Sequence, residues 1–246
     1  HEISDINYAK NNIVNIINIK FKHKKVFDKI SNYSNKYIEN CFKKSLDILK
    51  DYKDKALLIN GPISKTNFLN RRYLGITEYL SKKTRSRNEV MLIYNNKLSV
   101  SPLTTHIPIK YVSKRINQSK ITKNIVQINN FYKKYLRKKI KLAVLGLNPH
   151  CETIDKFSEE KNIIIPSIKR LKKKDIIVDG PYPADTFFIK KNINYYDVIL
   201  GMYHDQVLTP IKTIYNFKAI NITIGLPFIR ITPDHGPNSK MLGKNK

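Results

Sequence analysis

The chain has 246 residues, 41% of them hydrophobic, which is apolar material for one large domain or two modest ones and too much for a disordered protein. Its 46 Lys and Arg stand against 19 Asp and Glu, a formal net charge of +27 that raises nucleic acid as a partner. Two cysteines without CxxC spacing, Cys41 and Cys151, exclude a disulfide framework and fit a reducing cytoplasm, and no run approaches the ~18 apolar residues of a membrane span.

The first residues, His1 to Asp5, are unlike a signal peptide, and a start on His1 with an end in Gly243-Lys244-Asn245-Lys246 points to a piece of a longer protein. Alternation predicts a strand over Val14 to Phe21, and helical spacing predicts a helix over Val26 to Tyr52. Lys55 to Asn60 reads as a buried strand closed by Gly61-Pro62, with a helix to follow. Glu89 to Tyr94 and Lys97 to Leu103 read as two strands joined across Asn95-Asn96, and Ile121 to Lys139 as a helix. Lys141 to Leu147 is a further buried strand, Ser158 to Lys173 a helix, and Asp197 to Met202 and Ala219 to Ile224 are strands. Strands alternating with helices predict an α/β fold on a largely parallel sheet.

Lys, Ile, Asn and Tyr are abundant, Trp is absent and Gly scarce, a compositional drift towards AT-rich codons that puts lysines on solvated faces. The basic runs Lys133-Lys134 to Lys139 and Lys169-Arg170 to Lys174 fall at helix-like ends, where positive charge complements the dipole. Solvated surface is therefore favoured over a nucleic-acid footprint.

His106, His150 and His204 each follow a predicted strand, and in open α/β sheets ligands bind beyond the carboxyl ends of the strands. One histidine alone is more often a satisfied polar group; three at equivalent strand ends point to a divalent-metal site with positions left open for substrate. His1 and His23 lie in unpatterned sequence and receive no role. No GxGxxG follows a strand, so a Rossmann fingerprint is missing.

Eight motifs then occur in one order: Asn60-Gly61-Pro62-Ile63-Ser64-Lys65, Gly75-Ile76-Thr77-Glu78, Thr104-Thr105-His106-Ile107-Pro108, Gly146-Leu147-Asn148-Pro149-His150, Asp179 to Thr186, Met202-Tyr203-His204-Asp205-Gln206, Asn221 to Pro227, and Asp234-His235-Gly236. Together they resemble the 4-hydroxythreonine-4-phosphate dehydrogenase family of pyridoxal phosphate biosynthesis, from about Leu57 to the end of the chain. The resemblance implies two α/β/α domains flanking a cleft, like isocitrate and isopropylmalate dehydrogenases: residues 1–74 with 211–246 on the nucleotide side, and residues 75–210 as a central metal and dimerisation domain. It implies His106, His150 and His204 as ligands of one divalent ion (zinc, magnesium, cobalt or manganese), and Thr77, Lys212, Asn221 and Arg230 as contacts to a small phosphorylated hydroxy acid. Lys212 and Asp205 are the catalytic candidates, Asp185 a further orienting or proton-carrying carboxylate. His235, Gly236 and Asn238 would line the adenosine end of NAD or NADP. The family forms homodimers whose active site takes residues from both subunits.

Two departures stand out. Ile76 occupies the place of a substrate-touching histidine, and Cys151 to Phe157 replaces a glycine-rich stretch. The alternatives are a sister dehydrogenase of 4-phospho-D-threonate or D-erythronate, and a non-catalytic protein that binds anions or nucleic acid on the same scaffold.

Overall fold

A computed structural model describes residues 1–23, 25, 28–52, 55–70 and 72–237 of the chain. Helix α1 (Asn35–Tyr52) is led in by a single 3-10 turn, Asn32–Ser34, whose Tyr33 amide donates to Ser31 Oγ. The expected helix is thus shorter at its start. Ser31, Asn32, Ser34 and Asn35 offer the backbone competing side-chain hydrogen bonds, which favours a cap over a helix interior; Val26 and Phe27 lie outside the described residues. The strand expected over Val14 to Phe21 does not form, leaving only an isolated bridge between Glu2 and Ile16. Val14 and Ile16 are exposed, and alternation specifies a strand only where one face is buried.

The remaining helices are α2 (Ile76–Thr84), α3 (Val112–Arg115), α4 (Gln118–Tyr135), α5 (Ile165–Lys172, preceded by a π turn at Glu160–Ile164), α6 (Ala184–Phe187), α7 (Lys190–Ile193) and α8 (His204–Tyr215). The strands are β1 (Leu57–Ile59), β2 (Val90–Tyr94), β3 (Ser99–Thr104), β4 (Leu142–Leu145), β5 (Val178–Tyr182), β6 (Val198–Tyr203), β7 (Ile220–Ile224) and β8 (Ile229–Pro233). Helix α4 starts earlier than its apolar periodicity, because Asn117 caps it by accepting from the Lys120 amide at 2.8 Å. Neither β5, β8 nor α8 was among the expected elements. No helix among the described residues is long and apolar enough to cross a membrane.

All eight strands join one sheet in the order β1-β8-β7-β2-β3-β6-β4-β5. It is mixed rather than largely parallel: β7 pairs antiparallel with both β8 and β2, and β2 with β3. The turn at Asn95-Asn96 is too short for the crossover that a parallel pair requires. The strands from residues 1–74 and 211–246 make one end of the sheet, those from residues 75–210 the other.

Strands β3, β6 and β4 are adjacent and mutually parallel. Their carboxyl ends therefore share one edge, and the segments carrying His106, His204 and His150 leave from it. Both faces of this region are buried, so β4 and β6 read as nearly continuous apolar runs, while β3 satisfies its buried hydroxyls, Ser101 Oγ donating to the Met91 carbonyl and Thr104 Oγ1 to the Met202 carbonyl. Leu142, Val144, Val198 and Leu200 face Ile121, Ile125, Ile128 and Leu171 of α4 and α5, whereas Ala143, Leu145 and Ile199 face Val207 and Ile211 of α8. A third cluster, Phe42, Leu58, Ile76, Tyr79, Leu80 and Phe228, fastens α1 and α2 to the β1 end. Each such large apolar side chain contributes roughly 1.5–3 kcal/mol when fully buried.

The β7–β8 connection turns on Gly225, whose φ is +90° and where a Cβ would run into the Asn88 carbonyl. Gly225→Ala should therefore cost about 1–3 kcal/mol, read as a lower denaturant midpoint; an unchanged midpoint would show that this turn can relax without loss.

Candidate functional site

Strand β8 interrupts its apolar run with Arg230, which is 3% exposed. Its guanidinium donates from Nε to Asn60 Oδ1 at 2.7 Å, and from Nη1 to Thr77 Oγ1 at 3.3 Å and Thr223 Oγ1 at 3.2 Å. All three acceptors are neutral, and among the described residues no carboxylate is within ion-pair distance. Burial pulls the arginine pKa down to about 10. The Glu78 carboxylate opposes that shift from beyond ion-pair distance, so the buried cation is only partly compensated and is chemically suited to an anion.

That guanidinium lines a cavity of about 400 Å³ whose walls include Asn60, Ile76, Thr77, His106, His204, Lys212, Asn221 and Asp234. Helix α2 starts at this cavity after Gly75, and the Glu78 carboxylate in its first turn meets the positive end of the helix. Lys212 of α8 donates to the Asp234 carbonyl at 2.9 Å, and its Nζ lies 3.4 Å from Asp234 Oδ2. Burial raises the Asp234 pKa, and the Lys212 cation opposes that shift. Asn221, on β7, keeps a buried Oδ1 with no hydrogen-bond partner among the described residues. A larger groove of about 860 Å³ lies between residues 21–45 and β1, walled largely by aromatic and aliphatic groups such as Phe21, Tyr37 and Phe42. The convergent polar groups belong to the smaller cavity.

His106 and His204, from the ends of adjacent strands β3 and β6, bring their ring centroids to 5.8 Å. His204 Nδ1 is 2.7 Å from Asp205 Oδ1, which leaves Nε2 as its available nitrogen. His106 Nδ1 is buried, without a hydrogen-bond partner among the described residues and 3.6 Å from Glu78 Oε1, while Nε2 is 3.1 Å from Lys65 Nζ. Burial pushes the Glu78 pKa up, but His106 and Lys65 outweigh it and hold the carboxyl below its usual range. Gly75 is required beneath this pair, since a Cβ there would sit 2.7 Å from Glu78 Oε2 and 3.3 Å from His106 Cε1. Two imidazoles with carboxylates behind them are a donor set suited to a divalent transition metal.

His150 does not join them. It lies exposed in the 3-10 turn Pro149–Cys151 after β4, outside the cavity wall, and among the described residues no group of three His, Cys, Asp or Glu is arranged to hold a metal. Asp185 is exposed on α6, likewise away from the cavity. Asp205 lines the cavity with its side chain 80% exposed. His235 and Gly236 also line it, at an exposed end where His235 stacks edge-on against Phe217. Asn238 lies outside the described residues. Asn60, Thr223, Glu78 and Asp234 complete the site and carry no signal of their own in the sequence beyond membership of the ordered motifs. The basic runs at the ends of α4 and α5 precede β4 and β5, so they occupy the edge of the sheet opposite the histidines.

A family model described as pyridoxal phosphate biosynthetic protein PdxA matches residues 1–246. The chain is 40% identical over 213 residues to a 4-hydroxythreonine-4-phosphate dehydrogenase of Sulfurihydrogenibium sp. (strain YO3AOP1), an alignment covering 85% of this chain and 64% of that one. It is 38% identical over 165 residues to a D-threonate 4-phosphate dehydrogenase of Pectobacterium atrosepticum, covering 67% and 51%. The chain thus spans 51–64% of the length of these curated relatives. The crystal structure of a 4-hydroxythreonine-4-phosphate dehydrogenase from Klebsiella pneumoniae aligns over 98% of this chain and 76% of its own, with TM-score 0.80 and 27% identity. An isocitrate dehydrogenase from Methylococcus capsulatus shares the fold at TM-score 0.51 and 11% identity, over 82% and 65%.

If Arg230 is the anion anchor, inorganic phosphate should raise the melting temperature of this chain and leave Arg230→Met unmoved. At a hundredfold excess over Kd the stabilisation lost is about 2.7 kcal/mol. Equal stabilisation of both proteins would put the phosphate on surface lysines instead.

Proposed function

The chain belongs to the PdxA family of pyridoxal phosphate biosynthetic proteins, and from that premise we propose that it is an NAD- or NADP-dependent oxidoreductase acting on 4-phosphooxy-L-threonine. The secondary hydroxyl becomes a ketone, giving 2-amino-3-oxo-4-phosphooxybutanoate. This β-keto acid then loses carbon dioxide and takes up a proton, yielding 3-amino-2-oxopropyl phosphate. The observation that carries this reading is the buried Arg230 cation, without an ion-pair partner among the described residues, in the same cavity as a pair of imidazoles.

Arg230, Thr77, Asn221 and Lys212 bind the anionic ends of the substrate, the buried guanidinium by charge and the neutral groups by oriented hydrogen bonds. With the substrate anchored there, its hydroxyl faces His106 and His204, which would hold a divalent cation together with His150 from a second copy of the chain. A nicotinamide dinucleotide, when bound, would supply the hydride acceptor, and such a cation, whether zinc, magnesium, cobalt or manganese, would supply Lewis acidity. Lys212 Nζ and the Asp205 carboxylate border the same space and are the groups able to carry the protons released and taken up. His235 and Gly236 border the open end that the adenosine would use, with Asn238 continuing the same segment. On this reading residues 1–74 with 211–246 form the nucleotide side, residues 75–210 the metal and dimerisation side, and the working protein is a homodimer.

The decisive assay is reduced-nicotinamide formation from 4-phosphooxy-L-threonine with and without a chelator. Turnover should be abolished by the chelator and by His204→Ala, the latter with reduced bound metal and a retained fold; chelator-insensitive turnover would remove the metal from the scheme.

One observation favours a second substrate. Ile76 is buried among Tyr79, Leu80 and Phe228 yet also lines the cavity, so it offers an apolar wall and no hydrogen bond. A relative is named D-threonate 4-phosphate dehydrogenase. If the isoleucine only withholds a hydrogen bond, Ile76→His should raise kcat/KM for the L-threonine-derived substrate about tenfold, the scale of one added hydrogen bond to a charged group. A preference for 4-phospho-D-threonate that survives the substitution would assign this chain to the sister reaction.

A further inference from the structure

The loop that carries His150 is held by a buried carboxylate that the proposed reaction does not use. Glu160 is 1% exposed, at the start of the π turn leading into α5. Its Oε1 accepts from the backbone amides of Leu147 at 2.8 Å and Asn148 at 2.9 Å. Its Oε2 accepts from Asn148 Nδ2 at 2.9 Å and Ser158 Oγ at 3.1 Å. Burial alone would raise the Glu160 pKa, but donors from Asn148 and Leu147 reverse the sign and keep it below the usual carboxylate value. Four donors converge on one side chain, and only a carboxylate can accept from all of them.

The loop needs such a hold. His150 and Cys151 are consecutive non-glycine residues at φ 55° and 60°, a left-handed conformation that costs roughly 1–2 kcal/mol per residue. The turn is also pinned from its other side. Gln206, in the first turn of α8, donates from Nε2 to the Gly146 carbonyl at 2.7 Å and accepts at Oε1 from the Met202 amide at 2.7 Å. At Gly146 there is no room for a side chain: a Cβ would lie 2.6 Å from Cys151 Sγ and 3.2 Å from Glu160 Oε1. The result is an exposed imidazole presented away from its own cavity on a strained but over-determined loop.

We propose that Glu160 is a positioning residue, an anionic clamp that fixes residues 146–151 so that His150 is presented in the one orientation in which it can complete the metal site of a second copy. The inference rests on the reading of His150 as a ligand supplied across a dimer. Glu160 touches no reacting atom and acts only through the loop.

The test compares Glu160→Gln, His150→Ala and the double variant in the full chain, using cobalt(II) titration, amide hydrogen exchange of Leu147 and Asn148 in the metal-free protein, and thermal melting. Glu160→Gln turns an amide NH2 towards Asn148 Nδ2, itself a donor, and removes the charge on which the backbone amides converge. It should speed exchange at both amides and weaken cobalt binding about tenfold or more, the scale of a lost supporting contact behind a metal ligand. The double variant should bind cobalt no more weakly than His150→Ala alone, because both changes remove the same contribution. A lowered melting temperature with unchanged cobalt affinity would make Glu160 purely structural, and additive losses would mean that it acts elsewhere; either result overturns the proposal. A His150→Ala chain that binds cobalt normally removes the ligand reading, and this inference with it, whereas normal binding by Glu160→Gln alone removes only the inference. Should Glu160→Gln fail to fold, Asn148→Ala, which deletes the side-chain half of the same clamp, carries the same comparison.

Discussion

The buried guanidinium of Arg230 is the constraint around which the rest of the site is arranged. Its three acceptors come from the end of β1, the start of α2 and the middle of β7, with the arginine itself on β8. One side chain therefore joins four elements, with Asn60 and Arg230 separated by 170 positions in sequence. Hydrogen bonds from Nε and Nη1 go to neutral oxygens, and the charge is opposed only from a distance by the Glu78 carboxylate in the first turn of α2. A cation held in this way is preorganised and largely out of water.

A second constraint is the run of three parallel strands, β3, β6 and β4. Parallel pairing sends three loops out of one edge, and the rings after the neighbours β3 and β6 converge. Strand β4 is equally a neighbour of β6, and it is the left-handed turn at His150 and Cys151 that sets the third ring apart. Gln206 spans the gap by holding Met202 and Gly146 together, and Glu160 fixes the remainder of that loop. The polar network around the edge positions backbone as much as side chains.

Much of the fold was legible in the sequence, for a physical reason. Strands β2, β4 and β6 are buried on both faces, and this forces the apolar runs that mark them, whereas β3 carries Ser99, Ser101 and Thr104 and β7 alternates isoleucine with Asn221 and Thr223. The elements that escaped notice are those whose sequence serves another purpose. Val178-Asp179-Gly180-Pro181-Tyr182 reads as a turn although it pairs with β4, Arg230 and Pro233 disguise β8, and Pro210 interrupts the helical pattern of α8. At the site, Arg230 announced itself as a cation following an apolar run. The roles of Asn60, Thr223, Glu78 and Asp234 arise only when distant segments fold together, and no local spacing encodes them. The separation of His150 from the other two histidines comes from the left-handed backbone of residues 150 and 151, which no local sequence pattern reveals.

The placement of the exposed lysines has a kinetic meaning. Net charge of +27 draws anions towards the molecule from every direction, while the clusters at the ends of α4 and α5 sit on the edge farthest from the cavity. Long-range attraction of this kind acts through solvent and fades within a Debye length of roughly 8 Å at physiological ionic strength. The Arg230 guanidinium is shielded from bulk ions by burial. Added salt should therefore slow the encounter of a small anion with the protein far more than it shortens the anion's stay, so capture and retention are tuned by two separate populations of basic residues.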